Sequence, residues 1–96
     1  MTIEKTVTGA TAELKIDGWL DTQTAPELGM ALDELDSSVT ELIFDLEGLE
    51  YISSAGLRQI VASHKKMDGK LTLKNVAAPV MEVFNMAGFS KHLHIV

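Results

Sequence analysis

Apolar and polar residues alternate from the start of the chain. Ile3 and Val7 fall in one period-two segment, and Ala12, Leu14 and Ile16 in the next, with Gly9 between them. Two such runs joined by a short glycine-bearing connection predict an antiparallel hairpin. The period then changes. Leu28, Ala31, Leu32 and Leu35 recur at i, i+3, i+4 and i+7, one face of a helix. Ahead of them, Thr24, Pro26 and Glu27 read as a capping hydroxyl, an early proline and a first-turn acid. Leu42-Ile43-Phe44, inside the segment Val39 to Leu46, is short, continuous and bounded by polar residues, which predicts a buried strand. Leu57, Ile60, Val61 and His64 return to the helical period. That helix is expected to end near Met67-Asp68-Gly69, after Lys65 and Lys66. Leu71-Thr72-Leu73 predicts another strand. Val80, Val83, Phe84 and Ala87 mark a third helix that Gly88 stops, and Leu93 to Val96 reads as a closing strand.

The predicted order is therefore ββαβαβα with a final β. Strands separated by helices imply right-handed crossovers and parallel pairing, and the opening hairpin adds antiparallel strands to the same sheet. The expected fold is α/β, a mixed sheet with helices mainly on one face, in a single domain spanning residues 1–96. A chain of 96 residues has room for one core and no second domain.

Charge and composition narrow the function. The 14 acidic residues outnumber the 8 basic ones, for a net charge of -6, so the summed field repels phosphate backbones and anionic membranes. Neither nucleic acid nor membrane is expected as a partner. No apolar run approaches the roughly 20 residues that span a bilayer, and the start of the chain lacks the features of a secretion signal. With no cysteine, thiol catalysis, disulfides and Cys-type zinc sites are excluded, and the protein is expected in the cytoplasm, as a monomer or weak dimer. No phosphate-binding or dinucleotide glycine motif is present, so no cofactor is expected. Ser54-Ala55-Gly56 matches only the second half of a Gly-x-Ser-x-Gly elbow, Ile52 standing where the first glycine belongs. No catalytic residue and no metal site is assigned. His92 and His94 alternate on the final strand, but without a third ligand nearby they read as exposed strand histidines.

The informative segment runs from Glu47 to Leu57. Ser53 and Ser54 lie where the chain leaves a loop and enters a helix, at or next to the N-cap. One reading is structural: a serine there accepts from a free helix N–H. The other is functional: a phosphate added there meets free N–H groups and the positive end of the helix dipole. Gly56, in the first turn, either packs against a neighbouring strand or lets a partner approach the backbone. Trp19 and Tyr51 are expected in turns flanking this segment, either lining a partner surface or, as the safer expectation, partly buried at the sheet edge.

Phe44-Asp45-Leu46-Glu47-Gly48-Leu49-Glu50-Tyr51-Ile52-Ser53-Ser54-Ala55-Gly56-Leu57 resembles the signature of the STAS domains, named for sulphate transporters and anti-sigma factor antagonists. Gly18-Trp19-Leu20-Asp21 resembles the end of that family's second strand, and Val83 to Phe89 the end of its third helix. The resemblance implies an anti-sigma factor antagonist, not an enzyme. Such a protein binds an anti-sigma serine kinase when unphosphorylated, freeing the sigma factor, and is released on phosphorylation of Ser54, with Ser53 as a second candidate acceptor. A PPM-type serine phosphatase restores it. The implied partner surface comprises Asp21, Ser53, Ser54, Ala55, Gly56 and Leu57, with Asp21 either docking the kinase or only shaping the turn toward Thr24. The chain departs from the best-known members in having Ser53 in place of an aspartate and Ala55 in place of Ser or Thr. Two rivals follow from the same resemblance: a scaffold subunit of a transport or signalling complex with no phosphorylation cycle, and the regulatory tail of an anion transporter.

Overall fold

The hairpin forms as the alternation requires. In the computed structural model, which describes residues 1–96, β1 (Thr2–Thr8) pairs antiparallel with β2 (Thr11–Leu20), Ile3 opposite Ile16 and Val7 opposite Ala12. Ala12, Leu14 and Ile16 are completely buried on one face of β2, while Thr11, Glu13 and Lys15 line the other. The same division holds for β3 (Glu41–Asp45), which buries Leu42 and Phe44, and for β5 (Leu71–Lys74), which buries Leu71 and Leu73. The opposite face of the sheet is mostly polar, Ile43 excepted, and carries the Lys74–Glu13 ion pair at 3.0 Å.

Three helices cover the apolar face. They are α1 (Ala25–Asp33), α2 (Ser54–Lys66) and α3 (Ala78–Met86). Their inward residues, Leu28 and Leu32, Leu57 and Ile60, and Val80 and Phe84, join the strand residues in one apolar cluster. Burial of that cluster is the main driving force for the fold. The sheet order is β1-β2-β3-β5-β6, where β6 is the two-residue strand His94–Ile95, and all pairs after the hairpin are parallel. The mixed sheet with its opening antiparallel hairpin is the one the pattern predicts. No helix is long and apolar enough to cross a membrane.

Three details of the elements and their caps differ from the sequence reading, and two of them shape the site. First, an additional strand, β4 (Leu49–Ile52), forms before α2 and pairs parallel with the end of β2. The observed order is therefore ββαββαβαβ. β2 is long enough to serve both partners, Thr11 to Lys15 facing β3 and Gly18 to Leu20 facing β4. The register slips between Gly18 and Trp19, where Gly18 adopts φ +97°, a conformation that a side chain would strain. Second, Thr24 is not a side-chain cap. The cap lies one turn earlier, at Asp21. Asp21 Oδ1 accepts from the amides of Gln23 (2.9 Å) and Thr24 (3.1 Å), and Thr24 Oγ1 accepts from the amide of Asp21 (2.8 Å). This reciprocal box satisfies donors that a helix start leaves free. Third, β6 is shorter than predicted and leaves His92 in the preceding turn, so His92 and His94 do not share a strand face.

Candidate partner-docking site

The site is assembled by the backbone at the end of β2. The carbonyl of Leu20 accepts from the amide of Ser53 (2.9 Å), and the carbonyl of Asp21 accepts from the amide of Ala25 (2.8 Å). One dipeptide thus holds the entrances of both α1 and α2. Both helices begin at the carboxyl ends of parallel strands, where helix N-termini and loops converge and where open α/β sheets present their binding crevices.

The two serines occupy different positions. Ser53 is the N-cap of α2, its backbone extended, and its Oγ accepts from the amide of Gly56 at 3.2 Å. Ser54 is the first residue of the helix and is exposed. Ala55 is half-buried. Gly56 and Leu57 are buried and offer a partner no side-chain surface. The packing reading of Gly56 has a direct cause: a Cβ there would lie 2.5 Å from the Leu20 carbonyl oxygen and 2.8 Å from Leu20 Cγ. The glycine lets α2 sit down on the end of β2.

Beside the serines is an open depression of about 430 Å3 lined by Trp19, Asp21, Thr22, Gln23, Tyr51 and Ser53. Asp21 and Ser53 therefore share one surface, with Ser54 next along the chain. Hydrogen bonds from the Thr24 amide, then from the Gln23 amide and the Thr24 hydroxyl, outweigh desolvation and hold the Asp21 carboxyl below the usual carboxylate range. The charge of Asp21 is thus a fixed feature of the site, and the same bonds show that it shapes the turn into α1.

Trp19 and Tyr51 stand on strands and not in turns, opposite each other in the β2–β4 register. Their ring centroids are 5.1 Å apart at a tilt of 46°. Both are more exposed than the sequence suggests, Trp19 at 57% and Tyr51 at 46%. Exposed Trp and Tyr are residue types enriched at protein–protein contact centres. Their place beside the site was legible in the sequence, but their pairing was not, because it depends on β4. No group of three or more His, Asp or Glu side chains is placed to hold a metal ion.

The comparisons agree with the fold. The family model described as the STAS domain matches residues 2–96. The anti-sigma-B factor antagonist of Staphylococcus aureus is 29% identical over 99 residues, covering 99% of this chain and 92% of the relative. Among solved structures, the unphosphorylated form of the anti-sigma factor antagonist SpoIIAA, a Bacillus cell fate determinant, superposes with TM-score 0.80 at 19% identity, covering 99% of this chain and 88% of that one. An anti-sigma factor antagonist from Mycobacterium paratuberculosis gives TM-score 0.85 at 20% identity, covering 98% and 83%.

Proposed function

This chain belongs to the STAS domain family, and from that premise we propose that it is a cytoplasmic anti-sigma factor antagonist, a binding module switched at Ser54. Unmodified, it binds an anti-sigma serine kinase and so frees the sigma factor. Phosphorylated on Ser54 by that kinase, it lets go, and a PPM-type serine phosphatase resets it.

The observation that carries this reading is the exposed position of Ser54 at the start of α2, next to a surface that holds Asp21 and the Trp19–Tyr51 pair. A phosphate adds about -1.5 to -2 charges at neutral pH. At the start of a helix that charge is accommodated by free N–H groups and the helix dipole. In a close-fitting interface the same charge is repelled and costly to desolvate. The switch therefore requires no rearrangement of the fold. Similar relatives carry the antagonist name, and SpoIIAA, of like fold, is known in a phosphorylated as well as an unphosphorylated form.

Incubation with the cognate kinase and ATP, followed by mapping of phosphate by mass spectrometry, tests the proposal. Phosphate on Ser54 and loss of kinase binding are expected. The rival, a scaffold subunit without a phosphorylation cycle, is favoured by Ala55 and by Ser53 standing in place of an aspartate. It predicts no phosphate on either serine in the same experiment.

A further inference from the structure

The charges of this acidic chain are unevenly placed. α2 carries Arg58, His64, Lys65 and Lys66 and no acidic residue. Lys66 pairs with Asp33 of α1 at 2.6 Å, whereas Arg58 and Lys65 are exposed and make no ion pair. Arg58, Val61, Ala62 and Lys65 lie at i, i+3, i+4 and i+7 and so form one stripe along the helix. Together with Phe89, beyond the end of α3, they line a groove of about 260 Å3 that has an apolar floor and a basic residue toward each end.

α1 carries the complementary stripe. Glu27, Met30 and Ala31, with Glu34 at the C-cap, repeat the same spacing with acids at both ends. Glu27 and Glu34 are exposed, and Met30, at 62% exposure, is one of the few large apolar side chains left in solvent. In each stripe the end charges are about 10 Å apart, seven residues at the helical rise. Two such helices laid side by side therefore match charge to charge in either relative direction. Within one molecule the stripes do not serve each other, because α1 and α2 meet through other residues. Gly29 lies against Gln59, where a Cβ would stand 3.4 Å from its Oε1, and Asp33 meets Lys66.

We propose that a second copy of this chain docks its α1 stripe in the groove, Met30 entering between Val61, Ala62 and Phe89 while Glu27 and Glu34 pair with Arg58 and Lys65. A two-fold arrangement lets each copy fill the groove of the other, which closes the assembly at two. Each of the two grooves is filled by one thioether and two solvent-exposed ion pairs, so the dimer is weak and forms at high protein concentration.

Sedimentation equilibrium of the full chain up to millimolar concentration tests the proposal, with circular dichroism melts to confirm that each variant is folded. The wild type should show reversible self-association. Arg58→Glu with Lys65→Glu, and separately Glu27→Lys with Glu34→Lys, should each be monomeric, since each sets like charges against one another. Mixing the two variants should restore a dimer, because one then offers an acidic groove to a basic stripe while the remaining pair is native. Met30→Gln, a single exposed change, should also weaken association and keeps the test open if a double variant is unstable. A wild type that stays monomeric throughout, a dimer indifferent to the charge reversals, or a mixture that fails to associate would each overturn the proposal.

Discussion

Gly56 donates its amide hydrogen to the Oγ of Ser53 across the first turn of α2, at 3.2 Å. That bond separates the roles of two adjacent serines. The oxygen of Ser53 is engaged in capping the helix, whereas Ser54 is exposed on its first turn. Ser53→Ala is expected to cost about 1 kcal/mol of stability, lowering Tm by about 4–8 °C in a domain of this size. Ser54→Ala should stay within about 0.5 kcal/mol of the wild type. Thermal or urea melts of the two variants check this, and equal losses would contradict the division.

The first turn of α2 contains no acidic residue, which leaves the positive end of its dipole uncompensated. Ser54→Glu should therefore stabilise the free protein, by about 0.3–1 kcal/mol, while weakening kinase binding. The combination is diagnostic. A variant that lost binding because it was damaged would melt earlier, whereas this one is expected to melt at the same temperature or later.

Gly56→Ala tests how α2 is seated. The added methyl would be forced against the Leu20 carbonyl, a backbone atom with little freedom to move. A loss of about 1–3 kcal/mol is expected, the usual range for overpacking. Because the clash falls at the start of the helix, the amide of Ser53, which donates to that same carbonyl, should also lose hydrogen-exchange protection. Unchanged stability and protection would mean that α2 does not rest on the end of β2 in this way.

What could be read from the chain alone depended on whether an element carries its own period. The hairpin and the three helices did, because Leu14 and Ile16, Leu28 and Leu32, or Leu57 and Ile60 repeat at the spacing of their element and are buried for that reason. β4 did not. Its four residues bury only Leu49 and Ile52, its two ends, so neither alternation nor a continuous apolar run marks it. The exposed Trp19–Tyr51 pair was hidden for the same reason, being a product of the β2–β4 register. The capping role of Asp21 was misplaced onto Thr24 because both residues suit a cap, and only the hydrogen bonds show which begins the turn. Ser53 and Ser54 were legible as a pair, but which hydroxyl is engaged and which is exposed required coordinates.

Trp19 and Tyr51 should matter more to binding than to folding. Each exposes about half of its surface, and a tilted aromatic pair contributes about 0.5–1.5 kcal/mol beyond the area it buries. Trp19→Ala and Tyr51→Ala each lose that term and the half-buried part of a ring, about 1–3 kcal/mol in all, and are expected to stay folded. Kinase affinity should fall at least about tenfold in each, as at a contact hot spot. Calorimetric titration of the kinase, alongside melts, separates the two effects. Full affinity in both variants would remove the aromatic pair from the docking surface.

Asp21 joins folding and docking, and pH separates them. Its carboxyl is held below the ordinary range by hydrogen bonds from the Thr24 and Gln23 amides. The unfolded chain, with an aspartate pKa of about 3.9, therefore binds more protons through the acid range than the folded one does. Stability from this group is fully present above that value and is lost as pH falls through the lower folded pKa. Asp21→Asn keeps a side-chain oxygen able to cap, without a titrating charge, so it should be folded at neutral pH and show a shallower loss of stability as pH falls below the ordinary aspartate range. Asp21→Ala should lose the cap at every pH. If the carboxylate also contacts the partner, Asp21→Asn should weaken kinase binding at neutral pH despite an intact turn. If Asp21 only shapes the entrance to α1, the asparagine variant should bind as the wild type does and only the alanine variant should fail.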